Sequence, residues 1–222
     1  MDFDFTQEQV MLRNLSREFL GRESTPKVVR GLMEDERGFS DATWQQMAEM
    51  GLHGLDIGAD YGGQGLGMVE LALVLDEMGR SVYPGPYFAT TVLAAGAIAA
   101  GGQAEQMGRY LPDIASGRTR GTLALIESAL AWQPSGVSLR AERRGDGYVL
   151  SGVKRFVPFG HVADLVVVVA RTSSDGADGT TVFVVPSDAA GLSSTKNVEM
   201  DRSNPTSTLT FKDVSVGADA VI

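Results

Sequence analysis

Residues 141–154 read AERRGDGYVLSGVK. A charged run ending at Arg144 meets Gly145-Asp146-Gly147, and Tyr148 to Gly152 follows with aromatic and β-branched residues. Glycine supplies the positive φ of a tight two-residue turn, so this stretch predicts a β-hairpin. The same grammar recurs on both sides. Thr122 to Ile126 reads as a short strand, and Val137 to Arg144 alternates in part. Leu165 to Ala170 is a continuous apolar run, which predicts a strand buried on both faces, and Thr181 to Val185 is similar. Residues 207–216, STLTFKDVSV, alternate Leu209, Phe211, Val214 and Val216 with one slip that signals a bulge. About seven strands with no helical period between them predict a sandwich or barrel.

Upstream of Gly117 the grammar changes. Residues 1–118 hold 15 Val, Ile and Thr against 27 in the shorter stretch 119–222, and such residues favour strands. Charge shifts as well, from 9 basic and 17 acidic residues to 10 and 11. The expected fold is α+β: an N-terminal all-α helical domain, residues 1–118, then a β-barrel or sandwich domain, residues 119–222. Ser116-Gly117-Arg118 is expected to be a flexible link. Val10, Leu12, Leu15, Phe19 and Leu20 line one side of a first helix, and Pro26 opens the next turn. Ser40 or Asp41 caps a helix carrying Trp44, Met47, Ala48 and Met50, with Gly51 past its end. Residues 68–79 predict a helix buried on more than one side. Residues 87–100 are rich in small residues, so another backbone should pack closely there. Pro112 is expected to kink or split the last helix.

Composition excludes several chemistries. The chain has 222 residues and no cysteine, which removes disulfides, thiolate catalysis and cysteine-ligated clusters. Its net charge of −9 argues against a general nucleic-acid binder. With only His53 and His161, 108 positions apart, a polyhistidine metal site is excluded, and no metal ligands are assigned. The acidic opening MDFDFTQEQV lacks the features of a signal peptide, so a cytoplasmic protein is expected.

Each candidate residue has a structural alternative. The run 61–67, YGGQGLG, fits neither dinucleotide nor P-loop spacing and reads as a turn into the next helix. His53 follows a helix-ending glycine and reads as a surface or capping residue; His161 reads as a turn histidine. Glu127 ends a strand and is either a general base or an acceptor of loop hydrogen bonds. Arg140, Arg143, Arg144, Lys154 and Arg155 read as a solvated face, or else as an edge for a phosphorylated ligand. Trp132 lies in a loop-like stretch, Ala129 to Ser135, where it either stacks on a planar ring, fills an interface or anchors the core.

The order of segments resembles the acyl-CoA dehydrogenase family from residue 2 to the last residue. The similarity rests on Phe5-Thr6-Gln7-Glu8-Gln9, on Trp44 to Gly51 with YGGQG after it, on the hairpin at 141–154 continuing to Ala163-Asp164, and on Phe211 to Val216 with Ala218-Asp219. The resemblance implies FAD, an acyl-CoA thioester of fatty or steroid type, and α,β-desaturation. It also implies a further helical domain that usually carries the catalytic carboxylate. The chain ends at Ile222, where that domain begins in the family, so a fragment without a catalytic residue of its own is expected. The helices at 68–79 and 87–100 should then present an apolar surface for self-association, in a homo- or hetero-oligomer with acyl-CoA dehydrogenase subunits.

By the same resemblance, Leu125, Ile126, Phe156 and Pro158 fall at cofactor-binding positions, and Ala131 and Trp132 at substrate-binding positions. These runs depart from the family. LIESALAWQ at 125–133 stands where most members read Leu-Thr-Glu-Pro and then Gly-Ser-Asp, so Ile126 lacks a hydroxyl and Ala131-Trp132 adds bulk. FVPFG at 156–160 stands where an aromatic-Ile-Thr-Asn-Gly run is usual, and Pro158 has neither hydroxyl nor N–H. The departures imply that FAD binding is weak or absent in this chain. They also resemble actinobacterial-type subunits that pair with a complementary subunit. The alternative function is therefore a non-catalytic partner with a degenerate flavin site.

Overall fold

The computed structural model describes residues 4–128, 130–173 and 179–222. Six helices come first among the described residues: α1 (Gln7–Glu23), α2 (Pro26–Met33), α3 (Asp41–Glu49), α4 (Met68–Arg80), α5 and α6 (Ala104–Ala115). Helix α5 opens as a π-helical segment, Phe88–Ala95, and ends as an α-helix, Gly96–Gly101. The starts follow local chemistry. Thr6 and Gln9 form a reciprocal capping box on α1, and Thr25 caps α2 with Pro26 in its first turn. Ser40 accepts from the Thr43 N–H at the start of α3, and Gly51, with φ 73°, follows that helix.

The helices enclose a core that includes Leu20, Trp44, Met47, Leu71, Val74 and Tyr87. On α1, Leu15 is exposed rather than part of the buried side, and Ser16 is buried in the seam. Helix α4 is buried on two sides. Leu71, Val74 and Met78 enter the core, while Glu70 and Glu77 meet Gln9 and Arg17 of α1. Its Met68 and Val69 remain exposed, as does Phe88 of α5. The glycine-rich run at 61–67 is a turn: Gln64 and Leu66 donate to the carbonyls of Gly54 and Leu55 at 2.7 Å. A Cβ on Gly63 would lie 2.0 Å from the Ile57 carbonyl oxygen, so only glycine fits. Pro112 sits inside a single helix and does not split it.

Seven strands follow among the described residues: β1 (Gly121–Ala124), β2 (Arg140–Arg144), β3 (Gly147–Pro158), β4 (Leu165–Arg171), β5 (Thr180–Pro186), β6 (Leu192–Lys196) and β7 (Thr206–Val216). They form one curled sheet in the order β1-β4-β2-β3-β7-β6, with β5 on the other edge of β4. The β2–β3 hairpin turns at Gly145, whose φ is 60°. The slip in β7 is a bulge at Lys212-Asp213 opposite Ser151, and Asp213 has φ 53°. The curl wraps one core containing Leu150, Val166, Val168, Phe183, Phe211 and Val214.

Strand β4 explains its own sequence. Val166, Val168 and Ala170 face that core, while Leu165 and Val167 pack with Ala94, Ile98, Leu111 and Ile114 of α5 and α6. One face of the strand thus joins the sheet to the helices. The small residues of α5 admit β1: Thr90 Oγ1 donates to the Gly121 carbonyl at 3.0 Å, and Ala94 lies against Gly121. The segment Ser116-Gly117-Arg118 is a packed corner rather than a free link. Gly117 has φ 70°, is buried, and accepts a 2.8 Å hydrogen bond from Trp44 Nε1.

Candidate functional site

Past Ala124 the chain leaves β1 and runs as Leu125-Ile126 beside the second half of β3. Arg155 N–H donates to the Ile126 carbonyl at 2.8 Å, and Thr122 Oγ1 donates to the Pro158 carbonyl at 2.6 Å. Leu125, Ile126, Phe156 and Pro158 are thereby brought onto neighbouring backbones. Between them β3 bulges, because Arg155 and Phe156 face only one residue of β7. Phe156 takes φ 51° at that bulge, a backbone state bulky side chains rarely adopt, and its ring is exposed. Pro158 is half-buried at the end of the strand.

The loop after Ile126 carries the substrate-side candidates. Ala131 is half-buried and lies against Gly136, where a Cβ would come within 2.3 Å of the Ala131 Cβ. Trp132 is 77% exposed, which rules out core anchoring, and its neighbour Leu130 is exposed at φ 53°. Ala129 lies outside the described residues.

The neck of this loop is polar and buried. Glu127 is 6% exposed and accepts from the Ser138 and Leu139 N–H groups at 2.9 and 3.0 Å and from the Ser138 hydroxyl. Lys154, 0% exposed, donates to Glu127 Oε1 at 2.7 Å and to the Leu125 carbonyl at 3.1 Å. Burial pushes the Glu127 carboxyl up, but Lys154, Ser138 and Leu139 outweigh it and hold it below the usual carboxylate range. Burial lowers the Lys154 ammonium, with Glu127 opposing. Glu127 is therefore the acceptor of loop hydrogen bonds, its oxygens committed, and not a poised base. The other basic residues of its group, Arg140, Arg143, Arg144 and Arg155, are exposed.

Neither histidine reaches this face. His53 is not at the surface and caps nothing: it is 0% exposed, its ring 3.9 Å from Trp44 and 5.7 Å from Tyr87, and neither nitrogen has a partner. Burial drives its pKa down to about 3. The short helical turn after Gly51 swings it inward, and Gly117 leaves room for it. His161 is in a turn, its Nε2 donating to the Arg37 carbonyl at 3.1 Å. No group of three acidic or histidine residues able to hold a metal occurs among the described residues.

Sequence comparison places these elements. The acyl-CoA dehydrogenase N-terminal domain matches residues 6–118, and the acyl-CoA dehydrogenase middle domain matches residues 127–214. The chain belongs to the acyl-CoA dehydrogenase family. Mitochondrial isovaleryl-CoA dehydrogenase of Pongo abelii is 30% identical over 98% of this chain and 53% of its own. Among solved structures, the ChsE4-ChsE5 complex from Mycobacterium tuberculosis superposes with a TM-score of 0.89 at 28% identity, covering 100% of this chain and 58% of that one. A glutaryl-CoA dehydrogenase from Mycobacterium smegmatis, in complex with FADH2, gives 0.87 at 26% identity, covering 98% and 55%. The chain thus spans between half and three fifths of the length of these acyl-CoA dehydrogenase relatives.

FAD is the group this family implies, and the four cofactor-side residues fit it only in part. Phe156 offers an exposed apolar ring. The side chains of Leu125, Ile126, Phe156 and Pro158 include no hydrogen-bond donor, and Pro158 has no N–H. The polar edge of an isoalloxazine finds no side-chain partner among them. Sequence reasoning missed the buried role of Lys154. The signal was present: Leu150, Gly152 and Lys154 share one parity along β3, the parity that enters the core. It also missed Arg171, whose guanidinium donates to the carbonyls of Val137 and Pro134, each at 2.7 Å.

Proposed function

We propose that this chain supplies the helical unit, residues 1–118, and the β unit, residues 119–222, of an FAD-dependent acyl-CoA dehydrogenase that α,β-desaturates an acyl-CoA thioester of fatty or steroid type. It works in the cytoplasm within a homo- or hetero-oligomer of such subunits, and it does not turn over substrate alone. No helix of the described residues is long and apolar enough to cross a membrane. Ala131 and Trp132 face the acyl-CoA, and Leu125, Ile126, Phe156 and Pro158 face the flavin position. The observation that carries the reading is the apolar character of that last set, beside an exposed aromatic ring, in a chain of this family. Stacking on Phe156 remains available, but each missing polar contact forfeits about 0.5–1.5 kcal/mol. FAD affinity is therefore weak or absent in this chain.

FAD titration followed by fluorescence quenching tests this. The parent should bind weakly, and the triple variant Ile126→Thr, Trp132→Ser, Pro158→Thr should bind more tightly when the C-terminal helical domain usual in the family is joined to it. Tight stoichiometric FAD in the parent, or turnover of an acyl-CoA with a dye acceptor, refutes the reading. A second reading, a non-catalytic partner of a complementary flavin-bearing subunit, is favoured by Pro158 and by the bulk of Trp132 at the loop tip. It requires that flavin colour appear only when the complementary subunit is co-purified.

A further inference from the structure

The loop that leads from Ser128, through the described residues Leu130 to Val137, is held by two polar clamps. At its neck, Glu127 gathers the N–H groups of Ser138 and Leu139 and the ammonium of Lys154, so both ends of the loop are tied to β3. At its shoulder, Arg171 at the end of β4 donates through Nε to the Val137 carbonyl and through a terminal nitrogen to the Pro134 carbonyl. The Arg171 N–H also donates to the Leu139 carbonyl at 2.7 Å, binding the loop exit to β4. Strands β3 and β4, on either side of β2, thus fix the loop's base and its returning limb, while its tip, carrying Leu130 and Trp132, projects into solvent. An exposed tip with two large apolar side chains loses much rotational freedom on capturing a ligand, and a braced base lowers that cost.

We propose that Arg171, together with the Glu127–Lys154 pair, positions the tip Leu130–Gln133 for the acyl-CoA thioester; the ligand in this proposal rests on the function proposed above. These three are positioning residues: they act on ligand affinity through the loop, not by touching the ligand. Arg171 is the informative one to change. It is only half-buried, and it grips carbonyls that water can satisfy in its place.

The chain's two tryptophans report the outcome separately, since Trp44 is 2% exposed in the helical core and Trp132 is 77% exposed at the tip. The full chain labelled with 5-fluorotryptophan gives two fluorine resonances, assigned with Trp132→Phe. In Arg171→Met the Trp132 line should shift or broaden while the Trp44 line stays in place. Titration with butyryl-CoA, followed on the Trp132 line, should give about tenfold weaker binding. Because coenzyme A is polyanionic, Arg171→Lys separates charge from positioning. It keeps the charge but cannot span both carbonyls, and should remain weak. Full recovery in Arg171→Lys assigns the effect to charge and overturns the proposal. So does an unmoved Trp132 line in Arg171→Met, or a Trp44 line that moves with it. A parent Trp132 line indifferent to butyryl-CoA overturns the acyl-CoA reading, while the effect of Arg171→Met on the ligand-free line still decides the positioning.

Discussion

The helical core around His53 and the sheet neck around Lys154 each bury one ionisable side chain completely, by opposite means. His53 is wrapped by Trp44, Tyr87 and Gly117, and neither ring nitrogen finds a partner. It survives there because a neutral imidazole costs far less to desolvate than a cation. Lys154 sits where two strand ends meet and has Glu127 and the Leu125 carbonyl to hold it. The neck keeps a charge pair and organises a loop with it, while the core tolerates a neutral ring and organises nothing polar. Burial alone thus says little about function, and the partners decide. This is why the proposed site is put at the loop above the neck and not at either histidine.

The largest effect should come from breaking the neck. Lys154→Met leaves the Glu127 carboxylate buried without its counter-ion and should cost about 3–5 kcal/mol in urea unfolding. The double variant Lys154→Met, Glu127→Gln should cost less than the sum of the two single changes, because no unpaired charge remains. Strict additivity would show that the two side chains do not act as a pair.

Acid should act next, and on the helical side. With a folded pKa of about 3 against an ordinary 6.5, His53 binds its proton more readily in the unfolded chain. Its stabilising contribution is complete above pH 6.5 and is lost as pH falls toward 3, by up to about 1.4 kcal/mol per pH unit. His161, lowered by burial, adds to the same slope. Glu77 works at lower pH: Arg17 holds it below the usual carboxylate range, so its share disappears as pH drops below 4.5. Urea midpoints measured between pH 4.5 and 6.5 should fall in the parent and flatten in His53→Leu. An equal slope in both would place the proton elsewhere.

The contrast also explains what was legible in the sequence. Periods survive translation into structure: the β4 run, the slip in β7 and the small-residue face of α5 each follow from local spacing and were readable as such. His53 was not, because its burial comes from the close approach of Gly117, 64 positions away, which no local pattern encodes. The π-helical opening of α5 was equally silent, since the packing of Thr90 and Ala94 on Gly121 is tertiary. In the candidate site, resemblance pointed to residues within the stretches 125–132 and 156–158, but not to the two clamps beneath them. Lys154 lies among arginines in the chain, and only its parity along β3 sets it apart. Arg171 was hidden because its partners are backbone carbonyls, which every sequence has.

The smallest expected effect belongs to a pair that looks as good on geometry as the one at the neck. Arg202 grips Glu34 with two bonds of 2.7 Å, tying the β6–β7 connection to the residue after α2, yet the two side chains are 49% and 70% exposed. Water competes for both groups, salt screens them, and holding two long side chains together costs entropy. The nearby Lys196 ammonium, donating to the carbonyls of Asp35 and Glu36, ties the same surfaces without help from Arg202. Arg202→Ala should therefore leave the urea midpoint indistinguishable from the parent at physiological ionic strength. The Glu34 carboxyl, which Arg202 holds below its ordinary value, should return toward it in an NMR titration of the variant. Together the two results would show a real ion pair that contributes nothing measurable to folding. A midpoint shift comparable to that of Lys154→Met would break the comparison, since exposure would then no longer separate pairs that hold the fold from pairs that merely decorate it.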